Sequence, residues 1–121
     1  MPHLNIEYSA NLAGAFDVPA ALRHLNDAVI AGGLFEPSHI KSRAVMLEHF
    51  RVGAEDSGQA MIHVRIHALP GRTPEALRGL STSVVAALQA VVKPVPGLTV
   101  QITAEVAEMD AGCYAKVIVG P

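Results

Sequence analysis

Pro2 follows the initiator methionine, and a proline at that position can do chemistry that no other residue can. If Met1 is removed, as commonly happens before a small residue, the Pro2 nitrogen becomes a rigid, nucleophilic secondary amine. An ordinary α-amino group titrates near about 7.7–8.0, and burial or nearby cations disfavour its protonated form. A general base works best when its pKa lies near the working pH. An apolar pocket rich in arginine would therefore make Pro2 a base at neutral pH. Many proteins carry proline after methionine for no chemical reason, so the dipeptide alone does not predict catalysis.

Basic residues at two other places could bind an anion beside such a base. Arg72 comes where a strand is predicted to turn into a helix N-terminus, so backbone N–H groups, the helix dipole and a guanidinium would converge on a carboxylate. Lys41, Arg43 and Arg51 alternate along a predicted strand and would share one of its faces. Each of these cations, taken singly, could also be a solvated surface charge.

Other kinds of active site are not predicted. His63 and His67 would have metal-ligand spacing on a helix, but on a predicted strand four residues span about 13 Å. Cys113 is the only cysteine and has no histidine near it in sequence, so we interpret it as a structural or incidental thiol. Phosphate-cradling glycine loops and nucleophile-elbow motifs are absent. We therefore do not expect a metal site at these histidines.

Composition restricts the class of protein and its partners. With 121 residues, 50% hydrophobic and 17% charged, the chain is expected to form one soluble globular domain. A formal charge of −2 provides no basic field for nucleic acid. We predict no signal peptide and no membrane span, since the apolar runs are shorter than the ~20 residues that cross a bilayer. A single cysteine excludes an internal disulfide and favours the cytoplasm. The mean hydropathy of +0.33 indicates apolar surface hidden in an oligomer.

The elements that must position these residues begin with a strand, a helix and a second strand. Residues 2–8 alternate as a strand whose apolar side chains share one face. Asp17 is expected to cap a helix that stops at Gly32 and Gly33. Residues 40–52 are predicted to form the second strand, which a polar loop follows.

The same order then recurs along the chain. Residues 60–69 alternate cleanly as a strand. Thr73, with Pro74 at the first helical position, predicts the start of a second helix. Residues 98–108 alternate as another strand, and a last short strand is predicted over residues 114–119.

This plan predicts an α+β (α/β-like) fold in which two β-α-β units form one mixed, mainly parallel four-stranded sheet with two helices on one face. Short extra strands are expected beside it. The units would span about residues 1–53 and 59–110 of a single domain, residues 1–121, that ends in a short segment, residues 111–121. No helix remains to cover the other face of the sheet, so we expect neighbouring subunits to cover it.

The second unit resembles a known building block. Residues 66–75, IHALPGRTPE, with their helix and the strand at residues 99–106, resemble the repeating unit of 4-oxalocrotonate tautomerase. The start MPH, residues 7–11 and the segment IKSR at residues 40–43 extend this likeness. Together they make the whole chain resemble the 5-carboxymethyl-2-hydroxymuconate isomerases, two-unit members of the tautomerase superfamily, whose fold is like that of 4-oxalocrotonate tautomerase and macrophage migration inhibitory factor.

The resemblance implies a homotrimer whose N-terminal proline is the general base. Pro2 and Arg72 match the family's catalytic residues. The family's second arginine aligns with Lys41, and Arg43 on the same face could share its role in substrate binding. Because lysine cannot make the planar bidentate contact of arginine, this departure bears on substrate preference. The second unit starts near Ile62 without an amine, so each chain would carry one site.

The function implied is that of an isomerase of the 5-carboxymethyl-2-hydroxymuconate delta-isomerase type, acting without a cofactor. It would move a proton and a double bond in an anionic, unsaturated 2-hydroxy or 2-oxo polycarboxylic acid during aromatic catabolism, in homoprotocatechuate degradation. A hydratase, dehalogenase or decarboxylase built on the same site remains an alternative. So does a non-catalytic trimeric binding protein of the same fold.

Overall fold

Four strands and two helices follow one another as β-α-β twice in the computed structural model, which describes residues 1–121. The elements are β1 (Pro2–Ser9), α1 (Val18–Ala31), β2 (Lys41–Leu47), β3 (Gln59–Ala68), α2 (Pro74–Val91) and β4 (Thr99–Glu108). Short 3-10 turns occupy Ala10–Leu12, Pro37–His39 and Ala111–Cys113. Neither helix is long and apolar enough to span a membrane.

The strands form one mixed sheet in the order β2-β1-β3-β4. β1 is parallel to β2, β3 is parallel to β4, and the central pair β1 and β3 is antiparallel. The predicted mixed, mainly parallel four-stranded sheet is thus confirmed. In the central pair Pro2 lies opposite Ala68, while His3 lies opposite Lys41 on the other side. The start of β1, the start of β2 and the end of β3 therefore meet at one end of the sheet.

One face of the sheet carries the core, and both helices pack on it. Along each strand, the apolar residues that face this core alternate with residues that face the other way, as the sequence predicts for a half-buried sheet. The fully buried side chains of this core include Leu4, Ile6, Leu25, Val29, Ile62, Val64, Ile66, Val84 and Leu88. The opposite face is mostly polar, no helix packs on it, and apart from the contact of Tyr114 with His3 it is open in the single chain.

Both helices begin where the sequence predicts. The Asp17 side chain accepts a hydrogen bond from the backbone N–H of Ala20 at 3.2 Å. The Thr73 hydroxyl accepts one from the backbone N–H of Ala76, also at 3.2 Å. Each cap is followed by a proline in the first helical turn, where its missing N–H costs nothing. The N-terminus of α2 is therefore fixed by Thr73, the residue directly after Arg72.

Replacing Thr73 by alanine is expected to destabilise the protein by about 1 kcal/mol, because the cap of α2 is lost. Urea unfolding measures this free energy. Thr82→Ala is the matched control, since the Thr82 hydroxyl only bonds back to the carbonyl of Arg78 within the same helix. Equal midpoints for Thr73→Ala and the wild type would show that the cap contributes nothing.

The predicted extent of the second strand is wrong. β2 ends at Leu47, and residues 48–58 leave the sheet as a loop. Arg51 lies in that loop, where its guanidinium donates to Asp56 and to the carbonyl of Ala54, each at 3.0 Å. Arg51 therefore does not share a strand face with Lys41 and Arg43, which both lie on β2.

The extra strand predicted over residues 114–119 is also wrong for the single chain. After the turn Ala111–Cys113 the chain contacts His3 through Tyr114, and residues 114–121 form no strand. Its apolar side chains consequently remain in solvent. Val117, Ile118 and Val119 are 82%, 77% and 89% exposed.

Candidate active site

The beginning of β1 is a buried strand end surrounded by cations. The Pro2 ring is fully buried. Lys41 begins the neighbouring strand β2, and Arg72 follows the turn that leaves β3. The charges of Lys41, Arg72 and Lys116 all act on the amino group of Met1, one residue before Pro2. The structure thus brings two predicted cations to the predicted base and adds a third, Lys116, from the C-terminal segment.

The electrostatics of this strand end favour a neutral amine. Burial, and then the charges of Lys41, Lys116 and Arg72, lower the pKa of the Met1 amino group below its ordinary value. No carboxylate acts on that group to oppose the shift. An amine on Pro2 would stand one residue further into the sheet and be subject to the same two causes.

Arg72 is held rigidly by the loop between α1 and β2. Its Nε and Nη2 donate to the carbonyl of Leu34 at 3.3 and 3.0 Å, and its Nη1 donates to the carbonyl of Leu69 at 3.0 Å. The guanidinium carbon lies 4.1 Å from the centroid of the Phe35 ring. An arginine has five N–H donors, so two of them remain free for a ligand oxygen. Arg72 therefore makes structural contacts with three of its N–H groups and leaves two oriented N–H donors free.

The turn before Arg72 depends on Gly71. Its backbone φ of +124° is a conformation that residues other than glycine rarely adopt. The turn lets the chain leave β3 and enter α2 within a few residues. Arg72 is thereby placed next to the carbonyls that orient it.

Lys41 and Arg43 lie on the same strand but make different contacts. The Lys41 ammonium donates to the carbonyl of His39 at 2.9 Å. Arg43 Nη1 lies 3.4 Å from His3 Nδ1, on the open face of the sheet. The charge of Lys41 acts on the Met1 amino group, whereas Arg43 is not among the groups that do so. Of the two predicted substrate-binding residues, Lys41 is the one beside the strand end.

Sequence reasoning missed Lys116 and His39. Burial, followed by the charges of Lys116, the N-terminus and Lys41, lowers the pKa of His39, which ends the 3-10 turn before β2. The position of His39, two residues before Lys41, could have indicated its proximity. Nothing in the sequence around Lys116 could have done so, because only the return of the C-terminal segment brings it to this end of the sheet.

His3 follows Pro2 at the start of β1, and its side chain contacts Tyr114 and Arg43 on the open face of the sheet. Its Nε2 lies 3.0 Å from the Tyr114 hydroxyl. Burial, followed by the charges of Arg43 and Lys41, lowers the pKa of His3 below its ordinary value. The folded protein therefore binds a proton at His3 less readily than the unfolded chain does. The contribution of His3 to stability is present above its unfolded pKa of about 6.5 and is lost as the pH falls below that value.

We expect the unfolding free energy of the wild type to fall more on acidification from pH about 7.5 to about 5.5 than that of His3→Asn. Urea unfolding at both pH values measures the difference. His24→Asn is the matched control, since His24 is exposed on α1 and makes no side-chain hydrogen bond. Identical pH dependence in the wild type and His3→Asn would contradict the assignment.

The remaining polar cluster belongs to the open sheet face. His63 bonds to the hydroxyl of Thr103 and to the carboxylate of Glu105, each at 2.7 Å. The hydrogen bond from His63 is the main cause that holds the pKa of Glu105 below its ordinary value. No group of three His, Cys, Asp or Glu side chains is placed to hold a metal ion. These residues tie β3 to β4 and lie away from Pro2.

The strand end is not enclosed by one chain. None of the cavities in the chain is lined by Pro2, Lys41 or Arg72. Arg43 lines a depression on the open sheet face, with His3 and Tyr114 among its neighbours. A substrate pocket usually buries most of its ligand. A ligand at Pro2 would therefore not be enclosed by the single chain.

Two β-α-β units sharing one mixed sheet, with a cation-lined strand start, define a protein of the tautomerase fold. The family model of 5-carboxymethyl-2-hydroxymuconate isomerase matches residues 2–117. The chain therefore belongs to the 5-carboxymethyl-2-hydroxymuconate isomerase family, a group of isomerases within the tautomerase superfamily.

Solved structures agree with this fold. A 5-carboxymethyl-2-hydroxymuconate isomerase from Deinococcus radiodurans R1 superposes with a TM-score of 0.81 at 23% identity, covering 96% of this chain and 88% of that one. A 5-carboxymethyl-2-hydroxymuconate delta-isomerase gives 0.85 at 21% identity, covering 98% and 89%. A fused 4-OT, described as a wild-type symmetric trimer, gives 0.66 at 21% identity, covering 88% and 85%. No curated protein sequence matches the chain.

Proposed function

We propose that this protein isomerises an unsaturated 2-hydroxy polycarboxylate such as 5-carboxymethyl-2-hydroxymuconate, with the Pro2 amine as general base after removal of Met1. One observation carries the proposal: the start of β1 is buried, and the Met1 amino group directly before it has a pKa lowered by burial and by three cations. Membership of the isomerase family supports the reaction class. We place the reaction in aromatic catabolism, as the substrate class implies.

The chemistry is a proton transfer that keeps all atoms and electrons in the substrate. The Pro2 nitrogen takes the proton of the 2-hydroxyl group, and the oxygen–hydrogen electron pair forms the carbonyl. The conjugated double bonds shift along the chain, and the protonated amine returns the proton to the far carbon, where a new C–H bond forms. The conjugation of the substrate itself delocalises the intermediate negative charge, so the step requires no cofactor.

The cations would bind and orient the polyanion. The two free N–H groups of Arg72 are suited to a carboxylate or to the oxygen of the developing dienolate. Lys41 would hold a second carboxylate as a point charge. Arg43 is less suited to this role, because its guanidinium is directed to His3 on the open face.

A homotrimer would complete the site. One face of the sheet is open in the single chain, and no cavity of the chain includes Pro2. The similar fused 4-OT is described as a symmetric trimer. Sedimentation analysis tests this assembly, and a monomer that turns over substrate at full rate would contradict it.

The function is tested by following ketonisation of 5-carboxymethyl-2-hydroxymuconate by ultraviolet absorbance, with the product analysed by NMR in deuterated water. We expect turnover above the uncatalysed rate and deuterium at a single carbon with one configuration. Binding without turnover would identify a non-catalytic protein. Turnover only of related acids, by water addition, halide release or loss of carbon dioxide, would assign the hydratase, dehalogenase or decarboxylase alternative.

A further inference from the structure

The C-terminal segment, residues 109–116, returns to the start of β1. The backbone N–H of Met109 donates to the carbonyl of Ala68 at 2.7 Å, and Ala68 is the strand partner of Pro2. The segment then turns sharply at Ala111–Cys113, where the Asp110 carboxylate accepts the backbone N–H of Gly112 at 2.9 Å. The chain is thus anchored beside Pro2 before it turns.

A second anchor follows the turn. The Tyr114 hydroxyl lies 3.0 Å from Nε2 of His3, and the two rings meet edge to face with centroids 6.1 Å apart. His3 is the chain neighbour of Pro2, just as Ala68 is its partner across the sheet. The two anchors therefore fix the segment relative to both sides of the candidate base.

Lys116 comes two residues after the second anchor and is placed at the same strand end. Its charge acts both on the Met1 amino group and on His39. Its side chain is exposed and makes no ion pair or hydrogen bond within the chain. An ammonium without a partner, held near two other cations, repels them unless an anion binds between them.

We propose that Lys116 binds a third carboxylate of the substrate and makes the site selective for tricarboxylates over dicarboxylates. The inference rests on the proposed function and deepens it. The charges of Arg72, Lys41 and Lys116 all act at the start of β1, on the amino group of Met1. These three cations equal in number the three carboxylates of 5-carboxymethyl-2-hydroxymuconate. A dicarboxylate such as 2-hydroxymuconate would leave one of these charges without a partner.

Kinetics of Lys116→Gln on these two compounds tests the proposal. For the tricarboxylate we expect KM to rise about 10-fold, the lower end for loss of a charge-assisted hydrogen bond, with kcat nearly unchanged. For the dicarboxylate, KM should stay within about 2-fold of the wild type. Lys116→Arg, which keeps the positive charge, should retain the wild-type preference for the tricarboxylate. Lys93→Gln, an exposed lysine that does not act on the Met1 amine, is the matched control. Equal changes in KM for both compounds, or no change for either, would overturn the proposal.

A binding measurement separates this inference from the proposed function. Calorimetric titration with propane-1,2,3-tricarboxylate and with pentanedioate requires no turnover. Lys116→Gln should weaken the tricarboxylate selectively, even if the wild type proves inactive as an isomerase. Wild-type affinity of Lys116→Gln for propane-1,2,3-tricarboxylate would overturn the role of Lys116 and leave the isomerase proposal intact.

Discussion

Pro2→Ala should lower kcat for ketonisation by about 10²-fold, the lower end of what a general base contributes. After removal of Met1 the variant still begins with an amine, but a primary one on a residue without a ring. The Pro2 ring is fully buried at the start of β1, which fixes the direction of its nitrogen. Alanine leaves that nitrogen free to rotate, so the base is present but no longer oriented.

Pro96→Ala is the matched control for this substitution, since Pro96 is exposed in the loop between α2 and β4. Steady-state rates and urea unfolding should be measured on both variants, so that a loss of activity is not confused with a loss of fold. An unchanged kcat in a well-folded Pro2→Ala protein would contradict the proposed base.

Arg72→Ala is expected to reduce both stability and activity. The substitution removes the hydrogen bonds to the carbonyls of Leu34 and Leu69 together with the contact on the Phe35 ring. We expect a loss of about 2 kcal/mol in unfolding free energy, because hydrogen bonds from a charged donor disappear. kcat/KM should fall by about 10²–10³-fold if the free N–H groups stabilise the developing oxyanion.

Arg72→Lys separates the two roles of this residue. Lysine keeps the charge but cannot bridge two carbonyls while presenting a planar pair of donors to the substrate, so most of the activity should still be lost. Arg78→Ala, an exposed arginine on α2 without a side-chain hydrogen bond, should behave like the wild type. A destabilised Arg72→Ala protein with wild-type kcat/KM would make Arg72 a structural residue only.

Periodic and local features of the chain were predictable from sequence. Leu4 and Ile6 alternate with polar residues, and their burial against the helices follows directly from a period of two. Thr73 and Pro74 predict the start of α2 because a cap and a fixed φ act within one turn. Such signals predicted both helices, the four strands apart from the end of β2, and the face of the sheet on which the helices pack.

Features that depend on distant parts of the chain were not predictable. Alternation placed Lys41 and Arg43 on one face, but only the pairing of His3 with Lys41 puts Lys41 at the start of β1. Arg43 lies about 7 Å further along the strand, two residues at the usual rise. Lys116 was missed for the same reason: the β-branched residues after it indicate a strand, while hydrogen bonds at Met109 and Tyr114 determine where the segment lies.

The most direct measurement of the central claim compares two forms of one protein that differ only in Met1. The form that retains Met1 can be made with methionine aminopeptidase inhibited and then converted by that enzyme, with mass spectrometry following the conversion. In the retained form the Pro2 nitrogen is an amide and cannot accept a proton, so kcat should be about 10²–10⁴-fold lower. We predict that ketonisation activity rises in proportion to the fraction of chains that have lost Met1. Equal activity of the two forms would contradict a catalytic role for the Pro2 amine.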